Sequence, residues 1–149
     1  MSRRHGFTLI EMLMVVVIIS LTMLTALPRF RAAVNRSNML SARAKVMASF
    51  GAARAAAAGS GRVATLHVAG NQVWVTAAGR LKAPFGANTM DTIVLPKDLN
   101  TMYGVTATPD VGTVVVNQTG LGTNAANIVL SHGDLSDTVK ISQYGRVQK

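Results

Sequence analysis

The 149-residue chain has no cysteine. That absence excludes a disulfide scaffold, a thiolate zinc site and a cysteine nucleophile. Acid is scarce too, with six Asp and Glu against fifteen Lys and Arg, so the formal net charge is +9 and the pI is near 11.2. After Glu11 there is no further glutamate, and the five aspartates (91, 98, 110, 134 and 137) form no paired arrangement suited to acid–base chemistry. Aromatics make up only 5% of the chain while half of it is hydrophobic, so its apolar content is aliphatic and rich in alanine. A mean hydropathy of +0.32 is too high for a disordered chain. The length suits a single domain.

What charge there is lies unevenly. Arg3 and Arg4 precede residues 7–27, where Glu11 is the only charged group. Residues 28–58 hold Arg29, Arg31, Arg36, Arg43, Lys45 and Arg54 with no acid, whereas residues 59–149 are nearly balanced at seven basic groups to five acidic. An overall excess of this sign favours nucleic acid, anionic lipid or an acidic partner. Its concentration in one 31-residue stretch ties it to a single element.

Phe7 to Leu27 is a 21-residue apolar run whose polar members are Thr8, Glu11, Ser20, Thr22 and Thr25. As a helix it would be about 31 Å long, enough for a bilayer core of roughly 30 Å. A buried core helix is disfavoured by the length and by the VVVII run at 15–19. A cleavable secretory signal is the stronger rival, with Arg3 and Arg4 as its basic region. Against it, the run is overlong, contains a carboxylate and offers Leu24 where a small residue is wanted before Ala26.

Residues 28–58 read as a continuation of that helix, rich in Ala, Arg and Met, with Pro28 expected to bend it and Gly59-Ser60-Gly61 to end it. Beyond Gly61 the period becomes two. Short β-prone runs at 63–68, 72–76, 92–95, 104–108, 113–117, 127–131 and 139–142 are separated by glycine and proline turns, with a hairpin at Ala69-Gly70-Asn71. The expected class is α+β: one long N-terminal helix, then a small antiparallel β domain.

The string GFTLIE at 6–11, after MSRRH and before the apolar run that Pro28 closes, resembles the class III signal of type IV pilins and pseudopilins. The resemblance implies a leader at 1–6, a transmembrane and assembly helix at 7–27, its second half at 28–58 and a β domain at 59–149. It implies cleavage between Gly6 and Phe7 by a prepilin peptidase, methylation of the new Phe7 amine and assembly with other pilin or pseudopilin subunits on an inner-membrane platform. It further implies a single-pass protein of the inner membrane, leader in the cytoplasm and domain in the periplasm, that later joins a pilus or pseudopilus. Charge alone points the other way, because the flank after Leu27 is more basic than Arg3 plus Arg4.

Glu11 carries its own argument. An ionised carboxylate inside a membrane helix costs a few kcal/mol even on lenient scales and calls for a partner. No basic side chain in 7–27 can serve, so the amine created at a neighbouring subunit's Phe7 is one answer and snorkelling to headgroups another. The resemblance implies the first.

The passage AARAAAAGSGRVATLHV and the closing Gly145-Arg146-Val147 are similar to the GspH/FimT group of minor pseudopilins. The absence of the cysteine-closed loop usual in major pilins fits a minor component. That group implies one of two roles, priming a type II secretion pseudopilus from its tip or binding double-stranded DNA during uptake for natural transformation. On this chain the DNA positions would be Arg146 and Lys149 with Lys140 nearby, and Gln148 stands where a second arginine would strengthen the match. Such groups neutralise phosphates without reading bases, or else are simply solvated strand ends.

Arg29, Arg36, Arg43 and Arg54 fall within about 40° of one helix face, overlapping an expected apolar stripe of Met39, Leu40, Val46, Met47 and Phe50. That face could meet anionic headgroups or acidic neighbours, or the arginine stems could cover apolar surface. Phosphate-loop, GxSxG and HExxH patterns are absent, and His132-Gly133-Asp134 reads as a turn. His67 is expected on a strand, and Trp74 is expected in the core, although Trp74 and Tyr103 could each stack a nucleobase. The chain does not read as an enzyme and implies no cofactor and no metal.

Overall fold

The computed structural model describes residues 7–79 and 90–148. It confirms the α+β class. The chain forms two units, one ending at Arg36 and the other starting at Ser37, and helix α1 (Leu9–Ser60) runs through both.

In the first unit α1 is a bare helix, exposed from its first residue to Val34. Its start is a capping box: Glu11 N donates to Thr8 Oγ1 (3.3 Å), and Thr8 N donates back to Glu11 Oε2 (3.2 Å). Further on, Ser20 Oγ donates to Val16 O, Thr22 Oγ1 to Ile18 O and Ile19 O, and Thr25 Oγ1 to Thr22 O. The polar members of the apolar run therefore satisfy their hydroxyls on their own helix, which removes much of their cost in a medium without water. Pro28 lies inside the helix, and its missing N–H leaves the Leu24 carbonyl without a helical donor.

In the second unit α1 buries Met39, Ala42, Val46, Ser49, Phe50, Ala53 and Ala57, steps of three and four that keep one face inward. Leu40 and Met47, expected in that stripe, are instead exposed at 54% and 36%. The alanines explain the difference: small residues at 42, 53 and 57 let backbone and sheet approach closely, and Phe50 fills the space between them. The helix also outlasts its expected end at residue 58, closing at Ser60, whose Oγ donates to Ala56 O.

Among the described residues eight strands follow: β1 (Ala64–Ala69), β2 (Gln72–Ala78), β3 (Met90–Asp98), β4 (Thr106–Pro109), β5 (Thr113–Val116), β6 (Ala126–His132), β7 (Leu135–Ile141) and β8 (Val147–Gln148). They build two antiparallel sheets ordered β3-β2-β1-β5 and β4-β6-β7-β8. All seven expected runs are strands, and β8 is an addition too short for period-two patterning to reveal. A five-residue helix, α2 (Leu99–Tyr103), was also not expected; Asp98 caps it by accepting from Asn100 N and Thr101 N. Leu66, Val68, Val73, Val75, Val114, Val116, Ile128, Leu130, Val139 and Ile141 face inward to complete one core with the helix.

The Gly70-Asn71 hairpin forms as expected, with φ of 55° and 65° at its two central residues. That pairing matches the twist of the flanking strands. Asn71 does further work: its Oδ1 accepts from Ala107 N and its carbonyl from Leu99 N, joining the first sheet to β4 and α2.

Candidate functional site

Two regions carry the residues singled out above. The first is the start of α1. Phe7 is exposed and precedes the capping box; Gly6 lies outside the described residues. The Glu11 carboxylate already has two local donors, Thr8 N and Thr8 Oγ1 (3.3 Å), and sits in the first turn, where the helix dipole favours negative charge. It is thus held at the helix start, one turn from the residue whose amine would be created by cleavage. Among the described residues α1 is the one helix long and apolar enough to cross a membrane.

The second region is the C-terminal hairpin. Lys140 on β7 pairs with Gln148, and Ile141 with Val147, on β8. Ile141 is buried and Val147 packs on the core, so the alternation turns Lys140, Arg146 and Gln148 to the opposite, solvent side. Lys140 and Arg146 are both exposed there, brought to one face by register; Lys149 lies outside the described residues. The connecting turn presents Tyr144, 71% exposed and two residues before Arg146. Tyr144 was not anticipated. An aromatic immediately before a turn glycine was the available signal, since such a side chain has no inward position to take.

What fixes that turn is Arg54, across from it on α1. Its Nε donates to Gly120 O (2.8 Å) and its Nη1 to Gly145 O (3.0 Å). Gly145 has φ 73°, and a Cβ there would lie 3.2 Å from the Arg54 guanidinium and 3.3 Å from Gly120 O. Arg43 Nη1 meets Asp137 Oδ2 at 3.2 Å, the one ion pair among the described residues. The expected four-arginine face is therefore corrected. Arg43 and Arg54 are spent tying α1 to β7 and to the tail turn, and the free charge is concentrated nearer the N-terminus.

Trp74 is not in the core. It is half-buried on the outer side of its sheet, stacked on His67 with centroids 4.9 Å apart and rings 7° from parallel. Their strands place the two directly opposite, and His67 Nε2 lies 2.9 Å from Thr76 Oγ1. Burial holds the His67 imidazole below its usual range, favouring the neutral ring that stacks. Tyr103 is half-buried against the core, which leaves it poorly placed for a nucleobase. Gly133 and Asp134 form the expected turn, whereas His132 ends β6 and its Nδ1 lies 2.6 Å from Gly104 O, 28 residues away. Asp110 accepts from Asn127 N at 2.7 Å, and that bond foremost holds the pKa of its carboxyl below the usual carboxylate range.

Residues 1–27 match the family described as "Prokaryotic N-terminal methylation motif". No curated protein matches the chain. Among solved structures it is similar to the type IV minor pilin FimU of Pseudomonas aeruginosa (strain PAO1) in two crystal forms. One superposes with a TM-score of 0.57 at 18% identity, covering 76% of this chain and 88% of that one. The other gives 0.53 at 17% identity, covering 73% and 90%. The resemblance to the GspH/FimT group in particular finds no counterpart in these matches. The chain thus combines a match to the prokaryotic N-terminal methylation motif over residues 1–27 with a fold like that of a type IV minor pilin.

Proposed function

We propose that the chain is a minor filament subunit, stored in the inner membrane as a single-pass precursor and built into a pilus after processing. In this reading residues 1–6 are a cytoplasmic leader, 7–27 cross the bilayer, 28–58 complete the helix and 59–149 form the periplasmic domain. A prepilin peptidase cuts between Gly6 and Phe7 and the new amine is methylated. On the assembly platform, Glu11 pairs with the Phe7 amine of a neighbouring subunit, exchanging a costly carboxylate in lipid for an ion pair. Pro28 marks the passage out of the membrane. The observation that carries this reading is the coincidence of a methylation motif on residues 1–27 with a minor-pilin fold.

The finer reading is DNA uptake, with Lys140, Arg146 and Lys149 neutralising phosphates of double-stranded DNA. Its support is the shared face of Lys140 and Arg146 beside an exposed Tyr144. With three contacts, log affinity should fall with log salt at a slope of about −2.7. A gel shift of fragment 29–149 on duplex DNA is expected to show weak retardation at low salt, lost near physiological salt and reduced by Arg146→Ala. Absence of retardation at low salt, or retardation indifferent to Arg146→Ala, would favour a tip-complex pseudopilin of a type II secretion system that binds no DNA.

A further inference from the structure

Three basic groups of α1, Arg29, Arg31 and Arg36, lie where a membrane surface would be. No Asp or Glu occurs between Glu11 and Asp91, and the one described ion pair uses Arg43, so Arg29, Arg31 and Arg36 meet no carboxylate. Arg29 stands 22 residues beyond Phe7, about 33 Å along the helix, just past a bilayer core of roughly 30 Å. From Arg29 to Arg36 the rise is about 10 Å, comparable with a headgroup layer of roughly 5–8 Å once side chains snorkel. The three do not share a side. Taking 100° per residue, Arg29 and Arg36 lie about 160° and 140° round the helix from Arg31.

Below Arg31 the exposed helix presents a shallow, open and mostly apolar groove that begins at Ser20, runs along Met23, Leu24, Leu27 and Pro28, and ends at Arg31 and Asn35. It has the polarity of a phospholipid, with an aliphatic floor and a guanidinium and amide at the top. An acidic protein neighbour would meet one side of the helix, whereas headgroups surround it.

We propose that Arg29, Arg31 and Arg36 form a collar for anionic phospholipid, with one lipid seated along the groove and its phosphate on Arg31. The proposal rests on the membrane-spanning reading above. The collar would gather anionic lipid around the stored precursor and resist its removal, so extraction into a filament must break these contacts.

The full chain would be reconstituted in phosphatidylcholine vesicles with and without phosphatidylglycerol, and contact with spin-labelled forms of each lipid measured. Each basic residue near an anionic surface is worth on the order of fivefold in enrichment. Phosphatidylglycerol is therefore expected to exceed phosphatidylcholine in the immobilised shell at least about fivefold. The excess should shrink at high salt and disappear in the Arg29→Gln/Arg31→Gln/Arg36→Gln chain. Equal contact with both lipids in an inserted chain, or an excess the triple variant keeps, overturns the collar alone. A chain that fails to float with plain phosphatidylcholine vesicles overturns the membrane reading and the collar with it. Equal lipid contact together with loss of neighbouring-subunit binding in the triple variant would reassign the arginines to a protein partner.

Discussion

Phe50→Ala is expected to lower the unfolding free energy of the β domain by about 3–5 kcal/mol, the cost of emptying a large core site. Phe50 is 1% exposed and is the largest fully buried side chain among the described residues. Its neighbours along the inward helix face are Val46, Ala53 and Ala57, whose short side chains cannot lean in to fill the space. Small domains have roughly 5–15 kcal/mol in total, so this one change should remove much of the margin. Urea unfolding of fragment 29–149, followed by far-ultraviolet circular dichroism, would show the midpoint falling at an unchanged slope. Leu40→Ala, on the exposed side of the same helix, should leave the midpoint nearly where it was. Equal losses at both sites would contradict the assigned helix face.

The second large effect lies at the tail turn. Gly145→Ala places a Cβ at positive φ, worth about 1–2 kcal/mol, and crowds the Arg54 guanidinium and Gly120 carbonyl as well. Arg54→Ala removes two charge-assisted bonds from buried glycine carbonyls and should cost about 1–3 kcal/mol. Because the Cβ at 145 collides with Arg54 itself, the double variant should lose less than the two single losses together, with a coupling of about 0.5–3 kcal/mol. Strict additivity would mean that the turn does not rest on Arg54. The Gly-Arg tail element thereby acquires a physical reason for its glycine: Arg54 needs the space a side chain would take.

Much of this fold could be read before the structure. Alternation and turn glycines located seven strands, and Gly70-Asn71 identified the hairpin. The helix interior resisted for a physical reason. In an alanine-rich segment the buried positions (42, 53 and 57) and the exposed ones (44, 48, 55 and 58) carry the same residue, so the larger Leu40 and Met47 drew attention wrongly. Helix α2 did leave a signal in Asp98 and Gly104, an N-cap and a left-handed C-cap. Trp74 was misread because QVWVT is apolar on both sides of the strand; strict alternation with Val73 and Val75 inward turns it outward. The roles of Arg43 and Arg54 could not be read at all. Their partners, Asp137 and Gly145, stand 94 and 91 residues away.

That redistribution alters the meaning of the net charge. Of the fifteen basic residues, Arg3 and Arg4 stand in the proposed leader, Arg43 and Arg54 are bonded within the domain, and Arg29, Arg31 and Arg36 lie on the exposed stretch of α1. The candidate DNA surface is a short hairpin face with Lys140, Arg146 and Tyr144 on or beside it. A pI of 11.2 is therefore weak support for nucleic-acid binding, and the geometry of the tail has to carry that reading.

The most direct test of the central claim is the N-terminus of the mature chain. Produced together with a prepilin peptidase and examined by intact and peptide mass spectrometry, the protein is expected to begin at Phe7 with a methylated amine. A chain that begins after Ala26, or that keeps Met1 in the presence of an active peptidase, would contradict it.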